Sequence, residues 1–134
     1  MLNILIIEDS GERLEFFRDL YQHHNVFVAS NSNDAIDHLK LTSFDIIHLD
    51  YMLENEDTSY RAAKYIKENK LEALIIIHST HPSGAGRLNK LLPQAHRIPF
   101  YKFKGTGEFA ERVRDVFSNK ELPDIEYLVK LFII

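Results

Sequence analysis

The sequence contains no cysteine, which removes disulfides, thiolate-bound zinc, iron–sulfur clusters and a thiol nucleophile from consideration together. Whatever chemistry the chain performs must use oxygen and imidazole. Long apolar runs are also missing. Stretches such as Leu74 to Ile77 and Leu131 to Ile134 fall far short of the roughly 20 residues that a membrane-spanning helix needs, so no membrane span is expected. The first residues, MLNILIIEDS, have no basic leader before the apolar run, and an acidic pair stands where a signal peptide would carry small residues. A cytoplasmic location is the expectation. Nor is there an excess of positive charge. A formal net charge of -4 gives no general pull toward nucleic acid, whose affinity comes largely from Lys and Arg contacts to phosphates. What remains is an ordinary globular composition, 45% hydrophobic and 27% charged over 134 residues, in the range of a single domain with one core.

Short, nearly continuous apolar runs recur along the chain, separated by segments whose apolar residues fall at helical spacing. This is the pattern of a parallel sheet covered on both faces. Strands are expected at residues 2–7, 26–29, 45–49, 73–78 and 99–103. The first helix is expected at 12–23, where Leu14, Phe17, Leu20 and Tyr21 form one apolar face. A second, at 33–41, has Ser32 as its expected N-cap. Others follow at 59–69, at 84–92, ending before Pro93, and at 108–117. Alternating strands and helices with short connections imply right-handed crossovers and an α/β, doubly wound sheet in the order 2-1-3-4-5. The domain should occupy residues 1–118. Residues 119–134 form an amphipathic extension, expected to pack on the domain itself or to serve as a dimer or partner contact.

In an open parallel sheet the ligand site lies beyond the carboxyl ends of the strands, near the point where their order reverses. Glu8 and Asp9 leave the first strand there, Asp50 the third and Ser79 the fourth, while Lys102 falls near the end of the fifth. Three converging carboxylates repel one another unless a cation sits among them. Hard oxygen ligands suit Mg²⁺, which keeps several waters and takes one or two carboxylates plus a phosphate.

These residues also carry a resemblance to response-regulator receiver domains, extending over about residues 1–117. ILIIEDS resembles the first strand and acidic pair of that family, FDIIHLDYML its third strand with the phosphoacceptor aspartate, and IIIHST its fourth strand with the Ser or Thr switch. The resemblance implies Glu8 and Asp9 as metal ligands, Asp50 as ligand or phosphoacceptor, Ser79 as a phosphate contact and Lys102 as the cation that balances the phosphoryl charge. Phe103 follows Lys102 where receivers usually have proline, and Lys104 offers a competing ammonium. The segment HSTHPSGAGRLNKLL, with GERLEFF in the first helix, is similar to a particular variant, the cyclic-phosphate-processing receiver domain. Two positions depart from that variant: His81 stands where asparagine is usual, and Met52 where an acidic residue is usually repeated.

The same segment can be read for chemistry alone. A cyclic phosphate needs its equatorial oxygens neutralised, a water oriented and a proton supplied to the departing alkoxide. Gly84 and Gly86 would let backbone N–H groups approach a phosphate at a helix N-terminus, Arg87 would fork onto its oxygens, and His78 or His81 would act as general acid or base. The two histidines lack a third clear partner for zinc. His48, inside a central strand, is expected to be structural, and His23, His24 and His96 to lie at the surface. Three functions compete: a phosphate-binding or phosphate-processing domain acting on a cyclic or esterified nucleotide, a response regulator phosphorylated on Asp50 by a histidine kinase, and a non-catalytic adaptor. About 15 residues remain after Asn119, so no output domain is expected to follow.

Overall fold

The computed structural model describes residues 1–124, 126, 127 and 130. Five strands, β1 (Asn3–Ile7), β2 (Asn25–Ala29), β3 (Ile46–Leu49), β4 (Leu74–Ile77) and β5 (His96–Arg97), form one sheet. Every pairing is parallel and the order is 2-1-3-4-5. Helices that connect or follow them include α1 (Gly11–Leu20), α2 (Ser32–Leu41), α3 (Tyr60–Glu68), α4 (Pro82–Leu91), α5 (Phe100–Lys104) and α6 (Glu108–Phe117). Among the described residues no helix is long and apolar enough to cross a membrane.

The two-residue period of a strand divides the core. Leu5, Ile7, Ile47, Leu49, Ile75 and Ile77 face one side, where α2, α3 and α4 contribute Ala35, Leu39, Ala62, Ala63, Ile66 and Leu88. Ile4, Ile6, Ile46 and Ile76 face the other, against Phe17 and Leu20 of α1, Tyr21 at its C-terminal cap, and Val113 and Phe117 of α6. Because both faces are covered, the central strands read as nearly continuous apolar runs, interrupted in β3 by His48.

Several boundaries differ from the sequence expectation for identifiable reasons. The cap of α2 is Asn31, whose side chain accepts from the Asp34 N–H, while Ser32 is buried and donates its hydroxyl to the Thr58 carbonyl. α4 begins at Pro82 rather than Gly84. Proline suits the first helical position, where its missing N–H costs nothing, and His81 supplies the cap. The largest correction concerns the run PFYKF, expected to be the fifth strand. The strand is the earlier pair His96–Arg97, and Phe100–Lys104 is a short helix. Pro99 cannot donate to a ladder, and the two buried aromatics, Phe100 and Phe103, recur at a spacing of three, which a helix and not a strand brings to one side. His24 is likewise not at the surface: its ring accepts from the Leu2 N–H and pairs with the Asn119 carbonyl. The expected extension at 119–134 lies largely outside the described residues.

α4 approaches the sheet end closely at Gly84. A Cβ there would lie 2.3 Å from two carbons of the Tyr51 ring, whereas one at Gly86 would meet nothing within 4 Å. Gly84→Ala should therefore lower stability by roughly 1–3 kcal/mol through overpacking, although alanine is the better helix former. Gly86→Ala should raise it by up to about 1 kcal/mol. Thermal melts of the two variants check this, and equal shifts of the same sign would contradict it.

Candidate functional site

The sheet places the central groups by register. Ile7, Leu49 and Ile77 stand side by side across β1, β3 and β4. The ladder continues one residue further, with the Asp50 N–H donating to the Ile7 carbonyl at 3.0 Å and the His78 N–H to the Leu49 carbonyl at 3.0 Å. Glu8, Asp50 and His78 are thus the next rung of three adjacent parallel strands. One ligand-capable atom from each lies within 4.8 Å of the others, and all three residues are buried.

Glu8 is the most enclosed. Its Oε2 accepts the N–H groups of Asp9 at 3.0 Å and Ser10 at 3.2 Å, and its Oε1 accepts Nε2–H of His78 at 2.9 Å. Asp50 Oδ1 accepts the Tyr51 N–H at 2.9 Å. The cation beside both carboxylates is Arg13, whose Nη1 lies 3.6 Å from Glu8 and 3.9 Å from Asp50. These separations give attraction without a direct hydrogen bond.

The electrostatics follow from burial. Desolvation raises the Glu8 pKa, opposed by its hydrogen bond with Asp50 and then by the backbone donors and Arg13. Burial also pushes Asp50 up to about 6, helped by the negative charge of Glu8 and opposed by His78. His78 is pressed down to about 4, chiefly by burial. It is therefore neutral at physiological pH and gives its one ring proton to Glu8, and its Nδ1 has no hydrogen-bond partner among the described residues.

A cavity of about 550 Å³ opens over this rung, lined by Glu8, Asp9, Arg13, Asp50, Ser79 and His81 together with Ser10, Met52, Leu53, Thr80 and Pro82. Asp9 lies at its exposed mouth. Ser79 is buried, and its hydroxyl accepts the His81 N–H at 3.1 Å. Met52 occupies the wall where a further carboxylate was the family expectation. His78 is completely buried behind Glu8 and does not line the cavity, so its placement fits orienting Glu8 rather than direct proton transfer to a ligand. His81 caps α4 through Nδ1, which accepts the Gly84 N–H at 2.9 Å. That bond assigns the ring proton to Nε2, making His81 a donor.

Four expected phosphate contacts do not line the cavity. The Gly84 N–H is committed to His81, and the residue itself is packed against Tyr51. Gly86 falls in mid-helix because α4 starts earlier than expected. For the same reason Arg87 turns toward α3, donating to the Tyr51 hydroxyl at 3.1 Å with its guanidinium over the Tyr60 ring. Lys102 lies on α5, its ammonium over the rings of Tyr101 and Phe109, and Lys104 pairs with Glu12. Neither lysine lines the acidic cavity. Sequence reasoning missed Arg13. The signal was available: Ser10 caps α1 by accepting the Arg13 N–H, and a residue three past the cap stays near the carboxyl edge of the sheet. His48 is structural as expected, with Nε2 hydrogen-bonded to the buried Tyr21 hydroxyl and burial holding the ring neutral.

The strand order and the acidic rung at the strand ends define the class, a flavodoxin-like receiver fold. The response regulator TrrA from Thermotoga maritima, in complex with Mg²⁺ and BeF, superimposes with a TM-score of 0.66 at 20% identity, over 86% of this chain and 98% of that one. The Mn²⁺-bound response regulator Rcp1 gives 0.64 at 15% identity, over 92% and 100%. The phosphorylated cyanobacterial phytochrome response regulator RcpA gives 0.63 at 14% identity, over 87% and 89%. No curated protein matches the sequence. Within the receiver fold the assignment is narrower: the model of the cyclic-phosphate processing receiver domain matches residues 4–94, and this chain belongs to that family.

The donor set suits a divalent cation. Two buried carboxylates that resist shared ionisation supply hard oxygen ligands of the kind Mg²⁺ and Mn²⁺ accept. Without a cation, ionised Asp50 is costly. It binds its proton more tightly folded than unfolded, so its contribution to stability is present below the ordinary value of 3.8 and lost as pH rises through about 6. His78 has the opposite sense, losing its contribution as pH falls from 6.5 toward about 4. Asp50→Asn isolates the first effect. In metal-free buffer it should raise stability by on the order of 2 kcal/mol at about pH 8 and by little at about pH 4. Added Mg²⁺ or Mn²⁺ should raise the melting temperature of wild type but not of the variant. An equal gain at both pH values would point to packing instead of charge.

Proposed function

We propose that the acidic cavity holds a divalent cation, Mg²⁺ in the first instance, and binds the phosphate group of a cyclic or esterified nucleotide. The observation that carries this reading is the rung of Glu8, Asp50 and His78 beside Arg13, in a chain of the cyclic-phosphate processing receiver family. Carboxylates alone repel a phosphate, so the anion needs positive charge from two sources. Arg13 is one, and the cation held by Glu8 and Asp50, with Asp9 at the mouth, would be the other. When bound, that cation would neutralise phosphoryl oxygens and lower the pKa of a coordinated water.

The chain's own groups supply the rest. His78 holds the Glu8 carboxylate in one orientation through Nε2–H, keeping it aimed at the cavity. Ser79 and His81 line the same cavity and offer hydrogen-bonding groups to phosphate oxygens. Asp50, next to Glu8 on the same rung, completes the pair of carboxylates that would hold the cation.

The reading is checked by titrating 2′,3′-cyclic, 3′,5′-cyclic and linear nucleotides with and without Mg²⁺, scoring both binding and hydrolysis. Binding of a cyclic phosphate should require the cation. It should weaken by about tenfold or more in Asp50→Ala and by roughly tenfold in Arg13→Ala. Affinity indifferent to Mg²⁺ and to both substitutions would refute it.

A second reading has its own support. Asp50, just past β3, and Ser79, just past the neighbouring β4, line the same cavity, and the end of β3 is the position from which a receiver aspartate takes a phosphoryl group from a histidine kinase. Against it, no lysine lines that cavity among the described residues. Acetyl phosphate with Mg²⁺ separates the two: labelling of wild type and not of Asp50→Ala, with no response to any nucleotide, would favour phosphorylation.

A further inference from the structure

The acidic cavity does not end at Arg13. A second cavity of about 430 Å³ adjoins it, and the two share Ser10, Arg13 and Thr80 as common walls. Arg13 forms the partition. One side of its guanidinium reaches toward Glu8 and Asp50, while the group also lies over the Phe100 ring at 4.9 Å and donates to the Thr80 hydroxyl at 3.5 Å. Phe100 is held in place by the edges of Phe16 and Phe17, with centroids 5.2 and 5.7 Å away at near-perpendicular angles, so that its face meets the guanidinium. The far wall is α5. Its other phenylalanine, Phe103, is fully buried, whereas Tyr101 between them also lines the cavity and is 62% exposed. Core packing therefore accounts for Phe100 and Phe103 but not for the Tyr101 ring. At the rim Lys104 and Glu12 meet as an ion pair and set a donor and an acceptor side by side.

We propose that this second cavity receives the aromatic base of a nucleotide whose phosphate occupies the acidic cavity. The inference rests on the phosphate reading above and extends it from a phosphate ester to a nucleotide bound across Arg13. Continuity is the first argument: a ligand anchored at the carboxylate rung has open space adjoining it beyond Arg13, and that space is far larger than a phosphate oxygen needs and within the range of small-molecule pockets. Surface chemistry is the second. A planar guanidinium on a phenyl ring and an exposed tyrosine ring offer flat π surfaces, to which any base can stack. The rim is the third, because a base edge carries donors and acceptors together and an ion pair can exchange with both.

The test compares three probes on wild type and Tyr101→Ala in the presence of Mg²⁺: adenosine and uridine 2′,3′-cyclic monophosphates, base-free ethylene phosphate, and the uncharged nucleosides. Tyr101 is exposed enough that its truncation leaves the core intact. Binding is followed by calorimetry and by the ring resonances of Tyr101. Wild type should prefer a cyclic nucleotide over ethylene phosphate by about tenfold, and Tyr101→Ala should bring that ratio toward one. Either nucleoside alone should shift the Tyr101 resonances. Equal affinity for the nucleotides and ethylene phosphate, with no nucleoside response, overturns this inference and leaves the phosphate reading standing. A nucleoside response without binding of any phosphate upholds the base site and overturns the phosphate reading. A tenfold preference that survives Tyr101→Ala unchanged places the base elsewhere and also overturns the proposal.

Discussion

Two carboxylates held out of water at the ends of adjacent strands organise this molecule. Glu8 and Asp50 are neighbours because β1 and β3 are paired in register, and each is shielded by side chains that the fold needs for other reasons. Burial raises the proton affinity of both. The surroundings answer that cost with a set of donors: the N–H groups of Asp9, Ser10 and Tyr51, the ring of His78, and Arg13 at a distance that attracts without closing a bond. A buried ionic group is tolerated only when its lone pairs are met, and Glu8 meets this condition more fully than Asp50. The difference separates their roles. Glu8 is a fixed element of the floor, and Asp50 is the group whose protonation state responds near neutral pH.

The neighbouring aromatic packing serves the same arrangement. Phe17 of α1 lies against His48, His78, Phe100 and Phe103, with centroids between 4.6 and 5.7 Å. It closes the α1 face of the sheet beneath the rung and keeps water from His78, which is why that imidazole stays neutral and acts as a donor to Glu8. On the opposite face Tyr51 stacks on His81 and fills the space that Gly84 leaves. Glycine in α4 is thus a packing device. It lets the helix approach the sheet end, where His81 and Ser79 form one wall of the cavity.

Much of this architecture could be read from the chain. The apolar runs around Ile4, Ile47 and Ile76 identified three strands of a sheet covered on both faces, and the acidic residues directly after two of them marked the edge at which open parallel sheets place their sites. The fifth strand was not legible, because PFYKF satisfies strand propensity and helix spacing equally over so few residues. Its reassignment to α5 moved Lys102 away from the acidic cavity and brought Tyr101 beside Arg13. The expected roles of Gly84 and Arg87 shifted for a related reason: one proline advanced the start of α4 by two residues, which leaves both farther from the helix N-terminus than expected.

By itself the sequence determined the layer architecture, the strand order, and that Glu8, Asp9, Asp50 and Ser79 emerge at one edge, since these follow from local periodicity and from the handedness of parallel crossovers. Only the tertiary structure decided which groups share a rung. The pairing of His78 with Glu8, the place of Arg13 between two cavities and the exposure of Tyr101 depend on strand register and on helix rotation. Both are set by contacts between residues far apart in the chain, and no local pattern in the sequence encodes them.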